Sequence, residues 1–289
     1  MQKSKLNFKP KLKSIVCGIT AFLICFSCAG CAEKTENTEF PVKYFNVEEE
    51  KAPNGVVSMS ETVSQSIVYL GYGDRMITGD FGDSITPNTD NIIAANPDLL
   101  FTCTALSYAN TKKLNDAGIK IALVTLPKNL EELSNYYIGI CSLIGGNITG
   151  KNVAETFNKD IKESFTNIKK FVSDNNKNLN AVIYLEENYA AVPDTFVSNV
   201  FSLAGINNLN NGTDYYLNAE RLALLNPDAI ICGEDVGAKL LANESLKDLN
   251  AVKNKLILTG DIKQINNLGK GFLDNIYGIL QKAYPDFAS

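Results

Sequence analysis

Two stretches of the chain, "DNIIAANPDLLFTC" at residues 90–103 and "ERLALLNPDAIICG" at residues 220–233, share one pattern. Each begins with an acidic residue, continues through an apolar helical turn, reaches Asn-Pro-Asp and then enters a hydrophobic run. Because proline cannot continue a helix, the pattern predicts a short helix that turns into a buried strand. One copy lies in each half of the chain, and we interpret them as equivalent elements of two related lobes.

Predicted strands and helices alternate around both copies. Helices are predicted at 61–71, 107–117 and 130–144, and the predicted strands cover 55–60, 75–79, 98–103, 120–125, 180–185, 228–233 and 255–260. Alternation of this kind favours parallel sheets, with ligands bound beyond the carboxyl ends of the strands. The sequence therefore predicts an α/β fold with two Rossmann-like lobes.

A longer amphipathic segment, residues 149–176, divides the strand pattern into halves. Its apolar residues recur every three or four positions and form one helical face: Val153, Phe157, Ile161, Phe165, Ile168, Phe171 and Val172. An ordinary surface helix would show the same pattern, but the length and central position favour a rigid connection between lobes. We accordingly place an N-terminal lobe at 51–147, an interlobe helix at 148–178 and a C-terminal lobe at 179–289.

The first thirty residues have the composition of a lipoprotein signal peptide. Five lysines and no acidic residue precede an apolar run at 15–26, which is shorter than the roughly 20 residues that a spanning helix needs. A short membrane anchor is the alternative. The sequence Ala29-Gly30-Cys31 resembles a bacterial lipobox, which implies that Cys31 becomes the first mature residue and carries lipid on its sulfur. Residues 31–50 are polar and acidic, and we interpret them as a lipid-anchored tether.

Composition restricts the chemistry of the remaining chain. Without residues 1–30 it carries 22 basic and 32 acidic residues, a formal charge of −10, which disfavours nucleic-acid binding. The absence of histidine removes the usual general base and the commonest transition-metal ligand. No phosphate-binding glycine loop or nucleophile elbow is present, so we assign no catalytic residue, metal ligand or cofactor. Cys103, Cys141 and Cys232 lie in or beside apolar runs, and we expect them to be buried free thiols. One disulfide between two of them is the alternative, and the sequence does not choose the pair.

Several segments, in this order along the chain, resemble the class III substrate-binding proteins of bacterial ABC importers, the iron-siderophore and cobalamin type. The resemblance covers most of residues 54–285 and is carried by "GVVSMSETVSQSIVYLGYGDRMITGD", "NTDNIIAANPDLLF", "CSLIGGNITGK", "SLAGINNL" and "NAERLALLNPDAII". It implies two α/β lobes joined by a long helix, with the ligand held in a cleft between them. It also implies two protein partners, the importer permease and its ATPase, and a location on the outer face of the cell membrane.

The resemblance also implies a role for the acids that open the two repeats. In the family, one exposed glutamate on each lobe pairs with arginines of the permease, and the matching positions here are Asp90 and Glu220, of which Asp90 departs from the family's glutamate and is one methylene shorter. An acid at a helix start is stabilised by the helix dipole whatever its function, so the position alone does not distinguish the two roles.

Segments that follow the predicted strands supply the candidate ligand contacts. These are Ser60, Phe81, Asp83, Cys103, Tyr108, Tyr189, Phe196, Glu234 and Asp261. Acidic residues dominate these segments, and the only arginines of the chain, Arg75 and Arg221, lie outside them. If the acids face inward and are not merely solvated turns, they favour a neutral or cationic ligand. The aromatic residues could supply a flat surface for a corrin or another large chelate. The absence of histidine disfavours a site for bare zinc or manganese and weakens the case for haem.

We therefore expect a solute-binding lipoprotein, and no enzyme, that captures an iron-siderophore, corrinoid or similar metal chelate for an ABC importer. A surface sensor or adhesin without transport function, and an enzyme on the same scaffold, are the alternatives. Loss of import on deletion would distinguish transport from the first alternative, and turnover of a small-molecule panel would reveal the second.

The lipid anchor gives the first testable prediction. Cys31→Ser removes the only sulfur at the expected cleavage junction, so the protein should leave the membrane fraction or accumulate as an uncut precursor. Fractionation with immunodetection measures this outcome, and Cys28→Ser serves as the control that keeps Cys31. A membrane-bound product of mature size in Cys31→Ser would contradict the assignment.

Overall fold

The structure, a computed structural model, describes residues 39–287. The predicted signal peptide, Cys31 and the first part of the predicted tether lie outside the described residues. Within residues 39–287, no helix is both long and apolar enough to cross a membrane.

Ten strands and eleven α-helices alternate over most of the described chain. The strands are β1 Val42–Tyr44, β2 Val47–Glu49, β3 Val56–Ser58, β4 Leu99–Thr102, β5 Lys120–Leu123, β6 Leu179–Glu186, β7 Tyr189–Ala190, β8 Ile206–Asn208, β9 Ala229–Cys232 and β10 Ile257–Thr259. The helices are α1 Glu61–Tyr69, α2 Thr89–Ala95, α3 Tyr108–Asp116, α4 Leu130–Gly145, α5 Lys151–Asp174, α6 Phe196–Leu203, α7 Ala219–Leu225, α8 Glu234–Ala242, α9 Asn250–Lys253, α10 Ile262–Asn266 and α11 Phe272–Ala283.

The two lobes contain parallel sheets with the same strand order. In the N-terminal lobe β3, β4 and β5 are neighbours, and Met76 forms a parallel bridge to Val56 on the free side of β3. In the C-terminal lobe the parallel order is β8, β6, β9 and β10, with β7 antiparallel beside the end of β6. Ile206, which opens β8, occupies the place equivalent to Met76, and the sequence offset between the two equals that between the repeats. The α/β prediction with parallel sheets is thus confirmed.

The repeated sequence adopts the same local structure in both lobes. Asn88 caps α2 by accepting the Asn91 N–H, and Asn218 caps α7 by accepting the Arg221 N–H. Both helices have seven residues. The match of cap and helix length between the copies supports the interpretation of two related lobes.

Each of these helices ends at an asparagine in the left-handed conformation. The φ angles are 49° at Asn96 and 41° at Asn226, and a proline follows each. Asparagine tolerates this conformation better than most residues, and the proline lacks the N–H that another helical turn would need. The chain therefore turns directly into β4 and β9, whose residues are all buried.

One continuous hydrophobic core joins the lobes. It includes residues of β3 and β4, of β6 and β9, and of the helices that lie between the lobes, such as Tyr137 on α4, Phe165 on α5 and Phe272 on α11. Two smaller clusters lie on the outer sheet faces, one around Leu100 and one around Ile230. The outer helices α2 and α7 belong to these smaller clusters.

The predicted interlobe helix corresponds to α5, and a second long helix precedes it. Gly146, with a φ of 91°, ends α4, and a π-helical turn at Gly146–Gly150 leads into α5. The two helices then run back alongside each other, and the Asn158 side chain of α5 donates to the Ser134 carbonyl of α4 at 3.2 Å. A Cβ atom at Gly150 would lie 2.1 Å from the Cys141 carbonyl oxygen, so the corner requires glycine there.

The predicted tether is wrong for residues 42–49. They form an antiparallel hairpin that packs on α4, with Phe45 and Asn46 at the turn in left-handed conformations. The Phe45 ring occupies the space where a Cβ atom of Gly139 would stand, 2.5 Å away. On β2, Glu49 is buried and pairs with Lys120 of β5 at 3.1 Å, and burial raises the pKa of its carboxyl. Polar composition suggested a solvated segment, but Val42 on β1 and Val47 on β2 are buried.

The asparagine turns give a prediction about stability. Asn96→Ala should lower the free energy of unfolding by about 1 kcal/mol, because alanine is unfavourable in the left-handed region. Asn226→Ala should lower it by about 2 kcal/mol, because it has the same strain and also loses a side-chain hydrogen bond. Asn96→Gly should be close to neutral. Asn226→Gly should cost about 1 kcal/mol, because Asn226 Oδ1 also accepts the Asn250 N–H at 2.9 Å. Urea unfolding monitored by circular dichroism measures all four, and equal effects of the two glycine variants would contradict the role of the Asn250 contact.

The interlobe cleft as candidate functional site

The segments that follow the parallel strands meet between the lobes. Glu61, which follows β3, pairs with Lys263, which follows β10, at 3.0 Å. Lys128, which follows β5, pairs with Asp194 beyond β7, and its carbonyl accepts the Asn199 side-chain N–H at 2.8 Å. The carboxyl ends of the two sheets therefore line one interlobe cleft, as expected for parallel α/β lobes.

One cavity lies between the lobes, and a second, lined by the C-terminal lobe alone, adjoins it. The first, of about 310 Å³, lies between Glu61 and Gln65 of the N-terminal lobe and residues 261–270 of the C-terminal lobe. The second, of about 600 Å³, lies against the ends of β9 and β10 and the side of α11. Asp261 and Lys263 line both, so the cavities adjoin.

Most of the predicted ligand residues of the N-terminal lobe are engaged in local structure. Ser60 caps α1 and hydrogen-bonds to Cys103, a half-buried thiol whose pKa is raised by burial. Phe81 packs on the outer core of its lobe. Tyr108 begins α3 and is 83% exposed, so its ring is the most available of the predicted aromatic contacts.

Asp83, also in this lobe, closes its own loop. Its carboxylate accepts the Thr86 and Ile85 N–H groups at 2.7 and 2.8 Å and the Thr86 hydroxyl at 3.1 Å. The Thr86 N–H contributes most to holding the pKa of this exposed carboxyl below its usual range. These bonds use one of its oxygens, Oδ1, and assign Asp83 mainly to shaping the 82–86 loop.

On the C-terminal side, Glu234 and Asp261 line the larger cavity together. Asp261 also caps α10 by accepting the Gln264 N–H at 2.9 Å. Tyr189 is half-exposed and stacks on Tyr215, with ring centroids 6.0 Å apart. Phe196 differs from the prediction: it is 6% exposed and packs on Phe272 with centroids 5.8 Å apart, so its ring contributes to the core.

Sequence reasoning missed Glu61, Lys263 and Tyr215. Glu61 and Lys263 belong to segments at opposite ends of the described chain, and no local pattern indicates such a pairing. Tyr215 follows β8, a strand that the asparagine-rich sequence "INNLNNG" did not predict. Extending the alignment of the two repeats toward their N-terminal sides would have identified β8 and placed Tyr215 after a strand end.

The two cavities are lined by a small excess of acidic residues: Glu61, Glu234, Asp261 and Asp274 against Lys263, Lys270 and Lys282. Lys263 pairs with Glu61, whereas Lys270 and Lys282 form no ion pair within the described residues. Arg75 donates to the Pro53 carbonyl and Arg221 pairs with Asp214, both outside the two cavities. Within the described chain, Glu186, Glu234 and Asp235 form no ion pair and are exposed. Over the same residues, no group of three or more acidic or cysteine side chains is arranged to hold a metal ion.

The two acids that open the repeats occupy equivalent places. Asp90 and Glu220 are the second residues of α2 and α7, and both are exposed. Asp90 pairs with Lys113 at 2.8 Å, whereas Glu220 has no ion pair within the described residues. The three predicted thiols at 103, 141 and 232 are all free, and Cys141 and Cys232 are buried, which raises the pKa of each to about 12.

Comparison with solved structures gives many proteins of the same fold. A periplasmic heme-binding protein from Pseudomonas aeruginosa matches with a TM-score of 0.68 and 20% identity, over 82% of this chain and 94% of that chain. The periplasmic vitamin B12 binding protein of Vibrio cholerae matches with a TM-score of 0.62 and 17% identity, over 80% and 96% of the two chains. The iron uptake ABC transporter substrate-binding protein PiuA from Streptococcus pneumoniae matches with a TM-score of 0.64 and 15% identity, over 83% and 95%. No curated protein sequence matches the chain.

Two α/β lobes with equivalent parallel sheets, a long connecting helix and a cleft at the strand ends define the class III substrate-binding fold. The family model described as periplasmic binding protein matches residues 65–262, which is more than half of the chain. The chain belongs to the periplasmic binding protein family.

Proposed function

We propose that this protein is an extracytoplasmic solute-binding lipoprotein. In this role it captures an iron-siderophore, a corrinoid or a similar metal chelate and delivers it to the permease of an ABC importer. Cys31 carries the lipid that holds it at the outer face of the cell membrane, and the protein itself performs no catalysis.

The observation that carries this proposal is the interlobe cleft in a member of this family. The adjoining cavities have volumes of about 310 and 600 Å³, which lie in the range of small-molecule binding sites. The matched structures are described as binding heme or vitamin B12, or as serving iron uptake, so large metal chelates are the class of ligand that such a cleft accommodates.

The charged residues that line the cleft restrict the class of ligand further. Four acids and three lysines line its two cavities, so an anionic chelate would meet a slight net repulsion. Among the chelate classes, a neutral or cationic one fits this charge balance better than one with several free carboxylates or catecholates. Exposed Tyr108 and the Tyr189–Tyr215 stack offer flat surfaces beyond the strand ends of the two lobes, outside the lining of the two cavities.

A matched pair of ligands tests the proposal. An iron trihydroxamate with a free ammonium group and its N-acetylated form differ by one positive charge but coordinate iron alike. We expect the ammonium form to bind about two- to five-fold more tightly at low salt, the effect expected of exposed charges, and an anionic tris-catecholate to bind weakest. Corrinoids with and without a net positive charge form a second pair, and Glu234→Gln should reduce the preference.

Titration calorimetry measures these affinities, and native mass spectrometry of protein from its source identifies the bound molecule. Exclusive binding of the anionic chelate would contradict the charge argument alone. A native ligand that is no metal chelate would contradict the proposed ligand class.

Delivery to the permease is assigned to Asp90 and Glu220. They lie on the outer helices, one per lobe, away from the two cavities, and present two carboxylates on one molecule. Asp90→Ala plus Glu220→Ala should strongly reduce uptake of the molecule identified by mass spectrometry, while its affinity in solution and the melting temperature stay unchanged. Asp160→Ala plus Glu163→Ala, two exposed acids of α5, is the matched control. Normal uptake in the first double variant, or loss of binding with uptake, would refute the docking role.

A further inference from the structure

The segment between α10 and α11 of the C-terminal lobe inserts into the N-terminal lobe. Leu268 is 2% exposed, and its side chain belongs to the core shared by both lobes. Its φ angle is 52°, a left-handed conformation that is unfavourable for leucine. A leucine keeps this conformation only where its surroundings hold it, which makes the contacts around it informative.

One side chain of the N-terminal lobe holds the Leu268 carbonyl: the Tyr137 hydroxyl donates to it at 2.6 Å. The Ser66 hydroxyl lies 3.3 Å from the same oxygen, but its single proton has a nearer acceptor in the Thr62 carbonyl at 2.9 Å. Tyr137 is on α4, Ser66 is on α1, and both are buried. A buried carbonyl that lost the Tyr137 donor would be left unsatisfied, so separation of the lobes at this point is unfavourable.

Neighbouring residues extend the same contact toward the cleft. A Cβ atom at Gly269 would lie 3.0 Å from Gln65 Cβ and 3.1 Å from the Gln65 carbonyl oxygen, so the backbone lies directly against α1. One turn nearer the cleft, Glu61 accepts from Asn267 at 3.3 Å and pairs with Lys263 at 3.0 Å. The smaller cavity lies between these groups.

We propose that residues 263–269 form an interlobe clamp that sets the width of the ligand cleft before any ligand binds. The helix α5, the shared core and the Lys128 contacts with Asp194 and Asn199 already join the lobes. The contact of residues 263–269 with α1 and α4 adds a hydrogen bond at the Leu268 carbonyl, which holds one lobe against rotation relative to the other. The inference extends the proposed function, because it says that the binding site is preorganised and that Tyr137 and Leu268 are positioning residues without ligand contact.

Two adjacent tyrosines allow a matched test. Tyr137→Phe removes the interlobe bond to Leu268, whereas Tyr136→Phe removes a bond of 3.0 Å to the Ser66 hydroxyl within the N-terminal lobe. Both changes delete one hydroxyl from a buried ring on α4. Their effects on melting temperature should therefore be similar, while their effects on lobe orientation should differ.

The distance between lobes is measured by pulsed electron paramagnetic resonance on spin labels at Asn115→Cys and Ala238→Cys. Both positions are exposed, on α3 and α8 respectively. The chain from residue 32 onwards, which contains all of the described structure, carries Cys103→Ser so that only the two introduced thiols react, because Cys141 and Cys232 are fully buried. No ligand and no permease is added, so an incorrect transport assignment would leave the measurement unaffected.

We expect one narrow distance distribution for the parent chain and for Tyr136→Phe. Tyr137→Phe should broaden the distribution and shift its centre. Glu61→Ala, an exposed change that removes the Lys263 and Asn267 contacts, should broaden it as well and keeps the test available if Tyr137→Phe does not fold. The clamp is refuted if the distributions of the folded interlobe variants superimpose on that of the parent, or if Tyr136→Phe broadens the distribution equally.

Discussion

A left-handed asparagine followed by proline is the constraint on which both lobes depend. At Asn96 and Asn226 it ends a seven-residue helix and directs the chain into the fully buried strands β4 and β9. Because these strands are flanked on both sides by parallel neighbours, their direction fixes the edge of each sheet at which loops and helix starts gather. The cleft is therefore a consequence of where two helices are stopped.

The sequence predicts this part of the structure well because the determinants are local. Proline, the capping asparagines and the 3.6-residue periodicity of α5 act within a few residues of themselves. The hairpin at 42–49 was missed because its strands are short and polar in composition, and only contact with Gly139 and Lys120 orders them. The break between α4 and α5 was predicted at 145–148, although the sequence did not show that Gly146 forms the corner with a positive φ.

The candidate site was predicted less well because its geometry arises between lobes. Strand-end segments were predicted as the lining, and parts of them, such as 233–234 and 259–261, line a cavity, but sequence does not say which side chains in them are already engaged. Asp83 accepts hydrogen bonds within its own loop, Phe196 packs in the core, and Ser60 caps a helix. Conversely, Glu61 acquires its partner only when α1 meets the segment after β10. The sequence at a strand end thus indicates where a binding site lies, whereas local hydrogen bonding decides which of its side chains are available to a ligand.

Fixing the lobes has a consequence for the proposed docking acids. If α5 and the contact at Leu268 prevent rotation, Asp90 and Glu220 keep one separation, and a permease can recognise that distance. The two acids are nevertheless unequal, because Lys113 already neutralises Asp90 whereas Glu220 has no ion pair within the described residues. An arginine approaching Asp90 must displace or share this exposed lysine, and exchanging one surface ion pair for another contributes little free energy. In the proposed complex, the C-terminal lobe would therefore supply most of the electrostatic attraction, and the N-terminal lobe would mainly fix orientation.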